Sequence, residues 1–208
     1  MPAVRDVVMK IINRVILFKI LECVYIGVPD PFYLEAERKY QCGFLDRRAL
    51  KDSSGDESYE LPAAFLKQAY EKGDECFGIA EGDILASYGW YSTKPTVVVN
   101  DLRLRFNDEY VYMYKGFTHP RYRGQHLHAI GMTMALQEYL RRGFKGLVSY
   151  VESNNASSLK SVYRMGYHAF GRIYVTKILG AYLVYHTRGC QGYGVCLETG
   201  KGRGAREP

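Results

Sequence analysis

Hydrophobic and polar positions change period several times in the first half of the chain, and each change predicts an element. Valine and isoleucine recur at helical spacing within residues 1–14, whereas residues 15–26 are rich in β-branched and aromatic side chains. These patterns predict an amphipathic helix and then a strand. After two prolines, residues 32–42 are predicted as a short charged helix. Polar residues 51–58 predict a loop, and residues 61–71 a helix that Gly73 ends.

From residue 75 onward, strand patterns dominate. Residues 75–80 and 84–91 flank a Glu-Gly-Asp turn, which is typical of a hairpin. Residues 110–118 alternate, so odd-numbered side chains, including Phe117, are expected on one face and even-numbered ones on the other. The remaining predicted elements are strands within residues 96–106, 146–151, 167–178 and 181–186, and helices at 124–142 and 156–165.

This order of elements predicts an α/β (α+β) domain built around one mixed sheet. A chain of 208 residues suits one domain. We assign residues 1–186 to a single domain. Residues 187–208 contain six glycines and few apolar side chains, which predicts a flexible tail.

Composition narrows the class of protein. The net charge of +6 allows a polyanionic partner, such as a nucleotide phosphate or an acidic carrier protein. No nucleic-acid-binding signature accompanies this charge, so we expect no nucleic-acid partner. Charged residues interrupt the apolar N-terminal region, which predicts neither a membrane span nor a secretion signal. Five scattered cysteines predict reduced thiols in a cytoplasmic protein, and no metal site.

A phosphate site is predicted where the strand at 110–118 gives way to the next helix. The connection is His119-Pro120-Arg121-Tyr122-Arg123-Gly124-Gln125-His126-Leu127-His128. Unpaired backbone N–H groups and the dipole of a helix start attract anions. Arg121 and Arg123 add positive charge at the same place.

Two motifs in this region resemble those of the GNAT superfamily of N-acetyltransferases. The acyl-CoA loop of that family follows the fourth strand with the pattern Arg/Gln-x-x-Gly-x-Gly/Ala. Arg123 to His128 align with this pattern, with His126 and His128 in place of its two small residues.

The second motif is Asn-x-x-Ser/Ala early in the helix after the fifth strand, with Gly-Phe/Tyr eleven residues beyond the Asn. Asn155, Ser158, Gly166 and Tyr167 match it in identity and spacing. Asn155 is also the predicted N-cap of this helix. The resemblance covers residues 84–186.

The resemblance implies a GNAT-like fold, a mixed and mostly antiparallel sheet flanked by helices. It also implies an N-acyltransferase that moves an acyl group, usually acetyl, from acyl-CoA to the amine of a small molecule or amino sugar. In the family, backbone N–H groups of the loop bind the pyrophosphate and the strand end polarises the thioester. The implied donor-binding residues are Phe117, Thr118, His119, Arg123, Gly124, Gln125, His126, Leu127, His128, Asn155 and Ser158.

Catalytic roles follow less directly. The family's usual acid, a tyrosine four residues before the Gly of the second motif, is Val162 here. The neighbouring Tyr163 is the candidate acid, although it would serve equally as a core residue, and Ser158 or a water could replace it. Glu152 at a strand end is the first candidate base, with Tyr112 and Glu109 as alternatives.

Two other functions stay open. Histidines in the loop would also suit a donor held on an acyl carrier protein, as in GNAT relatives that make N-acyl amino acids, because a carrier-held pantetheine has no ADP. Val162 at the acid position would suit a GNAT-fold binding or regulatory module without catalysis. Aromatic residues on the strands at 84–91 and 110–118 either line the acceptor pocket or pack the sheet. A homodimer is also left open.

Overall fold

The computed structural model describes residues 16–51, 56–99 and 102–199. The helix predicted at 1–14 lies outside these ranges. The helices are α1 (Arg47–Lys51), α2 (Ala63–Lys72), α3 (Leu127–Arg141), α4 (Ala156–Arg164) and α5 (Arg188–Gly192), with 3-10 turns at Pro31–Tyr33, Glu57–Tyr59 and Pro120–Tyr122. The strands are β1 (Ile16–Ile26), β2 (Gln41–Leu45), β3 (Glu75–Glu81), β4 (Ile84–Ser92), β5 (Thr96–Val99), β6 (Leu102–Arg105), β7 (Tyr110–Thr118), β8 (Gly146–Glu152), β9 (His168–Ile178), β10 (Ala181–His186) and β11 (Cys196–Thr199).

The central sheet has the strand order β10-β9-β1-β8-β7-β4-β3-β2. Strands β7 and β8 are parallel, and the other neighbours in this sheet are antiparallel. The predicted mixed, mostly antiparallel sheet is therefore confirmed. β1 lies between β8 and β9, and Leu21, Cys23 and Val24 at its centre are fully buried.

Two layers cover the sheet. On one face, Ala129, Met132 and Leu136 of α3 pack against apolar side chains of β1, β3 and β7. On the other face, a small sheet of order β11-β6-β5 buries Leu104 and Leu197 against β1, β7 and β9. None of the helices in the described ranges has the length and apolar character that a membrane crossing needs.

The helix predicted at residues 32–42 is wrong. Asp30 accepts a hydrogen bond from the Phe32 amide and caps a single 3-10 turn, which ends at Tyr33. From Gln41 the chain instead pairs with β3. Hydrogen bonding to a neighbouring strand thus overrides a weak local preference for helix.

The flexible tail predicted from residue 187 is also wrong as far as residue 199. This segment forms α5 and β11, and β11 pairs antiparallel with β6. Cys190, Val195 and Leu197 are almost fully buried, so a few apolar side chains anchor a segment that glycines dominate. Gly194, at φ +61°, makes the turn between the two elements.

Replacing Leu197 by alanine should lower the free energy of unfolding by about 2 to 4 kcal/mol, because it leaves a cavity between the two sheets. Denaturant unfolding followed by circular dichroism measures this change. Thr199→Ala, at the exposed end of the same strand, is the control and should change stability by less than about 0.5 kcal/mol. Equal stabilities for the Leu197 variant and the unmodified protein would contradict the packing of β11.

Candidate active site

The parallel pair of strands at the centre of the sheet opens into a fork. β7 and β8 pair only from Tyr110–Gly146 to Tyr112–Val148. Beyond that point β7 continues on β4 as far as Thr118, and β8 continues on β1 as far as Glu152. Ser149 Oγ donates to the Met113 carbonyl at 2.7 Å just past the last pair. The facing edges of the two strands then diverge and leave a cleft.

A β-bulge in β7 changes which side chains face this cleft. Trp90 pairs with Lys115 and Tyr91 with Met113, so Tyr114 is an extra residue. The bulge turns Phe117 to the same face as Tyr114, where it stacks on Tyr88 at 5.2 Å. The predicted strict alternation, which placed Phe117 with Met113, is therefore wrong beyond the bulge.

The fork holds a cavity of about 560 Å³, which we call the fork cavity. Main-chain and side-chain atoms of β7 and β8 form its walls, and α4 closes one side. Six of the residues predicted as site residues line it: Phe117, Thr118, His128, Glu152, Asn155 and Ser158.

A second cavity of about 400 Å³, the loop cavity, lies between the start of α3 and α4. Arg123, Gly124, His126 and Leu127 line it from the predicted donor loop. The two cavities adjoin, because both are lined by Thr118, His128, Ser161 and Met165.

The loop cavity is suited to an anion. Arg123, Lys160 and Arg164 line it, and none of the three forms an ion pair with another residue in the described ranges. The N-cap residue of α3, His126, makes no side-chain hydrogen bond to the helix, so the first backbone N–H groups of α3 remain available. Cationic side chains and a helix N-terminus therefore converge on one space.

The two histidines of the loop point in different directions. His126 has φ +58°, an unusual conformation for a residue other than glycine, and its exposed ring lies 6.0 Å from that of Tyr33. His128 instead turns inward and rests on the backbone of β7, where a Cβ on Gly116 would collide with its Cε1. Burial lowers the pKa of His128 to about 4, so the ring is neutral at pH 7, contrary to the usual behaviour of histidine.

Other predicted donor-site residues have structural partners. Asn155 Oδ1 accepts from the Ser158 amide at 3.1 Å, which confirms it as the N-cap of α4. His119 Nδ1 accepts from the Arg121 amide at 3.3 Å, and Gln125 Oε1 accepts from the Tyr40 hydroxyl. His119 and Gln125 line neither cavity, so they shape the loop from outside.

Of the predicted catalytic residues, Glu152 reaches the fork cavity, where its carboxylate pairs with Lys19 of β1. Tyr163 does not, because one step along a helix rotates a side chain by about 100° and brings Val162 to the cavity instead. The Tyr163 hydroxyl donates to Glu22 at 2.6 Å on the outer surface.

Tyr112 is buried beneath the small sheet, and its pKa is well above its usual value because of burial. Like Tyr163, it lines neither cavity. The placement of these two tyrosines removes both from the candidate site.

Several lining residues were not anticipated. Ser161 and Met165 follow Ser158 at spacings of three and seven, and Arg164 follows Lys160 at four, so helical periodicity would have indicated them. Tyr150 also reaches the fork cavity, from β8 and opposite α3. Tyr114, one of the strand aromatic residues for which pocket lining and sheet packing were both left open, reaches the same cavity from β7.

Comparison with solved structures assigns the fold. No protein-family model matches the chain, and no curated protein matches it. The architecture matches a protein of the GNAT family from Novosphingobium aromaticivorans (TM-score 0.55, 13% identity, 77% of this chain and 64% of that chain). The chain has the GNAT fold.

Two further structures agree on the GNAT fold. One is a GCN5-related N-acetyltransferase-like protein from Streptococcus suis, with TM-score 0.54 and 13% identity over 83% of this chain and 66% of that chain. The other is a GNAT-family acetyltransferase from Colwellia psychrerythraea, with TM-score 0.52 and 16% identity over 77% of this chain and 56% of that chain. The chain thus spans about two thirds of the length of these structures or less.

The depressed pKa of His128 predicts a distinct pH dependence. Because the unfolded ring has a pKa near about 6.5, the unfolded state binds more protons between pH 4 and 6.5, and stability should fall as the pH drops through this range. His128→Gln should lose this part of the pH dependence of unfolding. NMR of the imidazole should show no titration between about pH 5.5 and 8; a midpoint near 6.5 would contradict the buried position.

Proposed function

We propose that this protein is an acyl-CoA-dependent N-acyltransferase acting on a small-molecule amine, with acetyl-CoA as the simplest donor. The observation that carries this proposal is the junction of the two cavities. An anion-binding loop cavity leads directly into a fork whose walls carry polar groups suited to acyl transfer. A donor with phosphates at one end and a thioester at the other fits this order.

The donor's phosphates would bind in the loop cavity. Arg123, Lys160 and Arg164 supply positive charge there, and charge-assisted hydrogen bonds to phosphate are stronger than neutral ones. The ring of His126 lines this cavity beside that of Tyr33, and a space of about 400 Å³ remains although histidine stands where the family pattern has glycine.

The thioester would lie in the fork cavity beside the free edge of β7. An amine nitrogen attacks the thioester carbonyl carbon, the C–N bond forms, and the C–S bond breaks as the thiolate leaves. Backbone N–H groups of the strand edge would stabilise the transient oxyanion. Glu152 would accept the proton that the amine loses, for which its carboxylate must exchange Lys19 for the substrate.

The acceptor would approach from the face of the sheet opposite α3. Tyr114, Phe117 and Tyr150 line the fork cavity on this side, and Glu152 lies at the end of β8. Aromatic walls with one carboxylate suit an amine with an apolar or planar body. The aromatic residues of β7 therefore serve both sheet packing and the proposed pocket.

Substitution of the loop-cavity cations tests the donor. Arg123→Ala, Lys160→Ala and Arg164→Ala should each weaken acetyl-CoA binding about fivefold to 30-fold, because each removes a charged hydrogen bond to phosphate. Isothermal titration calorimetry measures the change. Lys67→Ala, on the exposed surface of α2, is the control and should leave binding unaltered.

Acetyl-pantetheine, which lacks the nucleotide, should bind the unmodified protein and the three variants alike. If the protein binds neither acetyl-CoA nor longer acyl-CoA at millimolar concentration, yet binds an acylated carrier protein, the donor is carrier-held and the proposal is wrong. Binding of acyl-CoA without turnover across a broad panel of amines would instead indicate a non-catalytic GNAT module.

A second test concerns the base. Glu152→Gln keeps the size of the side chain but cannot accept a proton, so it should lower kcat about 10²-fold to 10⁴-fold with little effect on acetyl-CoA affinity. Thiol release with an accepted amine measures turnover. Glu109→Gln is the matched control, because the Glu109 carboxylate pairs with Lys145 at 2.6 Å and lines neither cavity. If only the Glu109 variant lost turnover, Glu109 and not Glu152 would be assigned as the base.

A further inference from the structure

His128 lies where the loop cavity meets the fork cavity and lines both. Its ring forms no hydrogen bond with any residue in the described ranges. By contrast, polar groups nearby on β7 and β8 do form hydrogen bonds within the protein. An inward imidazole with free hydrogen-bonding capacity on the wall of a cavity can bond to water or to a ligand there. This position therefore suggests a functional role.

The strand beneath the ring is adapted to it. Gly116 of β7 pairs with Gly89 of β4, so neither strand has a side chain at this point on the face toward α3. The imidazole occupies the space above Gly116 and lies directly against the strand that borders the fork. The imidazole and the backbone edge of β7 thus face the same cavity.

Two polar side chains of the fork cavity are already engaged. The Tyr114 hydroxyl donates to Asp74 at 2.8 Å, and Ser149 donates to the Met113 carbonyl. Val162 reaches the cavity from α4 without a polar atom. Ser158 and Ser161 of α4 bring hydroxyl groups to the cavity, and His128 of α3 adds an imidazole.

The location also fixes the form of the ring. His128 is the second residue of α3, where the positive end of the helix dipole disfavours an added positive charge, and burial acts in the same direction. A neutral imidazole keeps one N–H, which can donate a hydrogen bond. Neutral histidine at a helix N-terminus can polarise a carbonyl in this way.

We propose that His128 is a catalytic residue of the acyl transfer proposed above, donating an imidazole N–H hydrogen bond to the thioester oxygen of the donor. The inference rests on the proposed function. As the amine attacks, the carbonyl electrons move to oxygen and the N–H stabilises the oxyanion. When the oxyanion collapses, the C–S electrons leave with sulfur, Glu152 holds the amine proton, and the thiolate takes a proton from water. His128 itself neither gains nor loses a proton.

The test uses acetyl-CoA labelled with ¹³C at the carbonyl and bound to the full chain. The bound carbonyl resonance should move downfield of the free one, because a hydrogen bond polarises C=O. His128→Leu, of similar volume but without a donor, should lose most of this shift, whereas His128→Gln, with an amide N–H, should retain part of it. Calorimetric Kd values should agree within about threefold, and kcat of the Leu variant should fall about 10²-fold to 10³-fold.

The possible results separate the two claims. An unaltered carbonyl shift in a folded Leu variant overturns the role of His128 and leaves the proposed acyltransferase standing. A Kd raised more than about tenfold for acetyl-CoA, but not for acetyl-pantetheine, makes His128 a phosphate contact and also overturns it. If the unmodified protein does not bind acetyl-CoA, the proposed function and this inference fall together. If the Leu variant does not fold, the carbonyl shift and kcat of the Gln variant still test the role of His128.

Discussion

The early end of pairing between β7 and β8 is the constraint on which the rest of the structure depends. Two parallel strands that diverge after three residue pairs leave backbone groups exposed inside a domain, which a ligand or water must satisfy. The arrangement holds because each strand is secured on its other side, β7 by β4 and β8 by β1. β1 is thus part of the site as well as of the core, since its Lys19 pairs with Glu152.

The departures from the family motif are explained by compensating features of the same site. His126 accepts a left-handed backbone conformation and extends into solvent, so the loop keeps the geometry that glycine would give it. His128 requires space instead, and glycine at position 116 provides it. The loop thus lacks the small residue of the family pattern at position 128, and the strand opposite has a glycine at the point of contact. A loop pattern alone would class this site as damaged, whereas the packing shows a different arrangement of the same parts.

Sequence patterns anticipated the elements whose periodicity is local. The strand at β7, the N-cap Asn155 and the stop at Gly166 follow from alternation and capping, and two spaced motifs sufficed for the fold. Features that depend on distant partners could not be predicted from these patterns. The bulge at Tyr114 arises from pairing with β4, and the order of residues 188–199 arises from burial of Leu197 between two sheets. On α4, Val162 faces inward and Tyr163 faces outward. Predicting this would have required the rotational position of the helix to be known to within one residue.

The distribution of groups about the fork favours direct transfer over a covalent enzyme intermediate. Cations and the neutral His128 lie on the side of α3 and α4, whereas the aromatic wall and Glu152 lie on the opposite side. Donor and acceptor would thus enter from different faces and meet at the strand edge. A covalent route needs an activated nucleophile between them. None of the five cysteines lines either cavity, and Ser149 donates its hydroxyl proton to a main-chain carbonyl. Ser158 and Ser161 also line the fork cavity, but neither hydroxyl is hydrogen-bonded to a basic side chain in the described ranges. The acyl transfer proposed for this chain is therefore best served by holding both substrates at once.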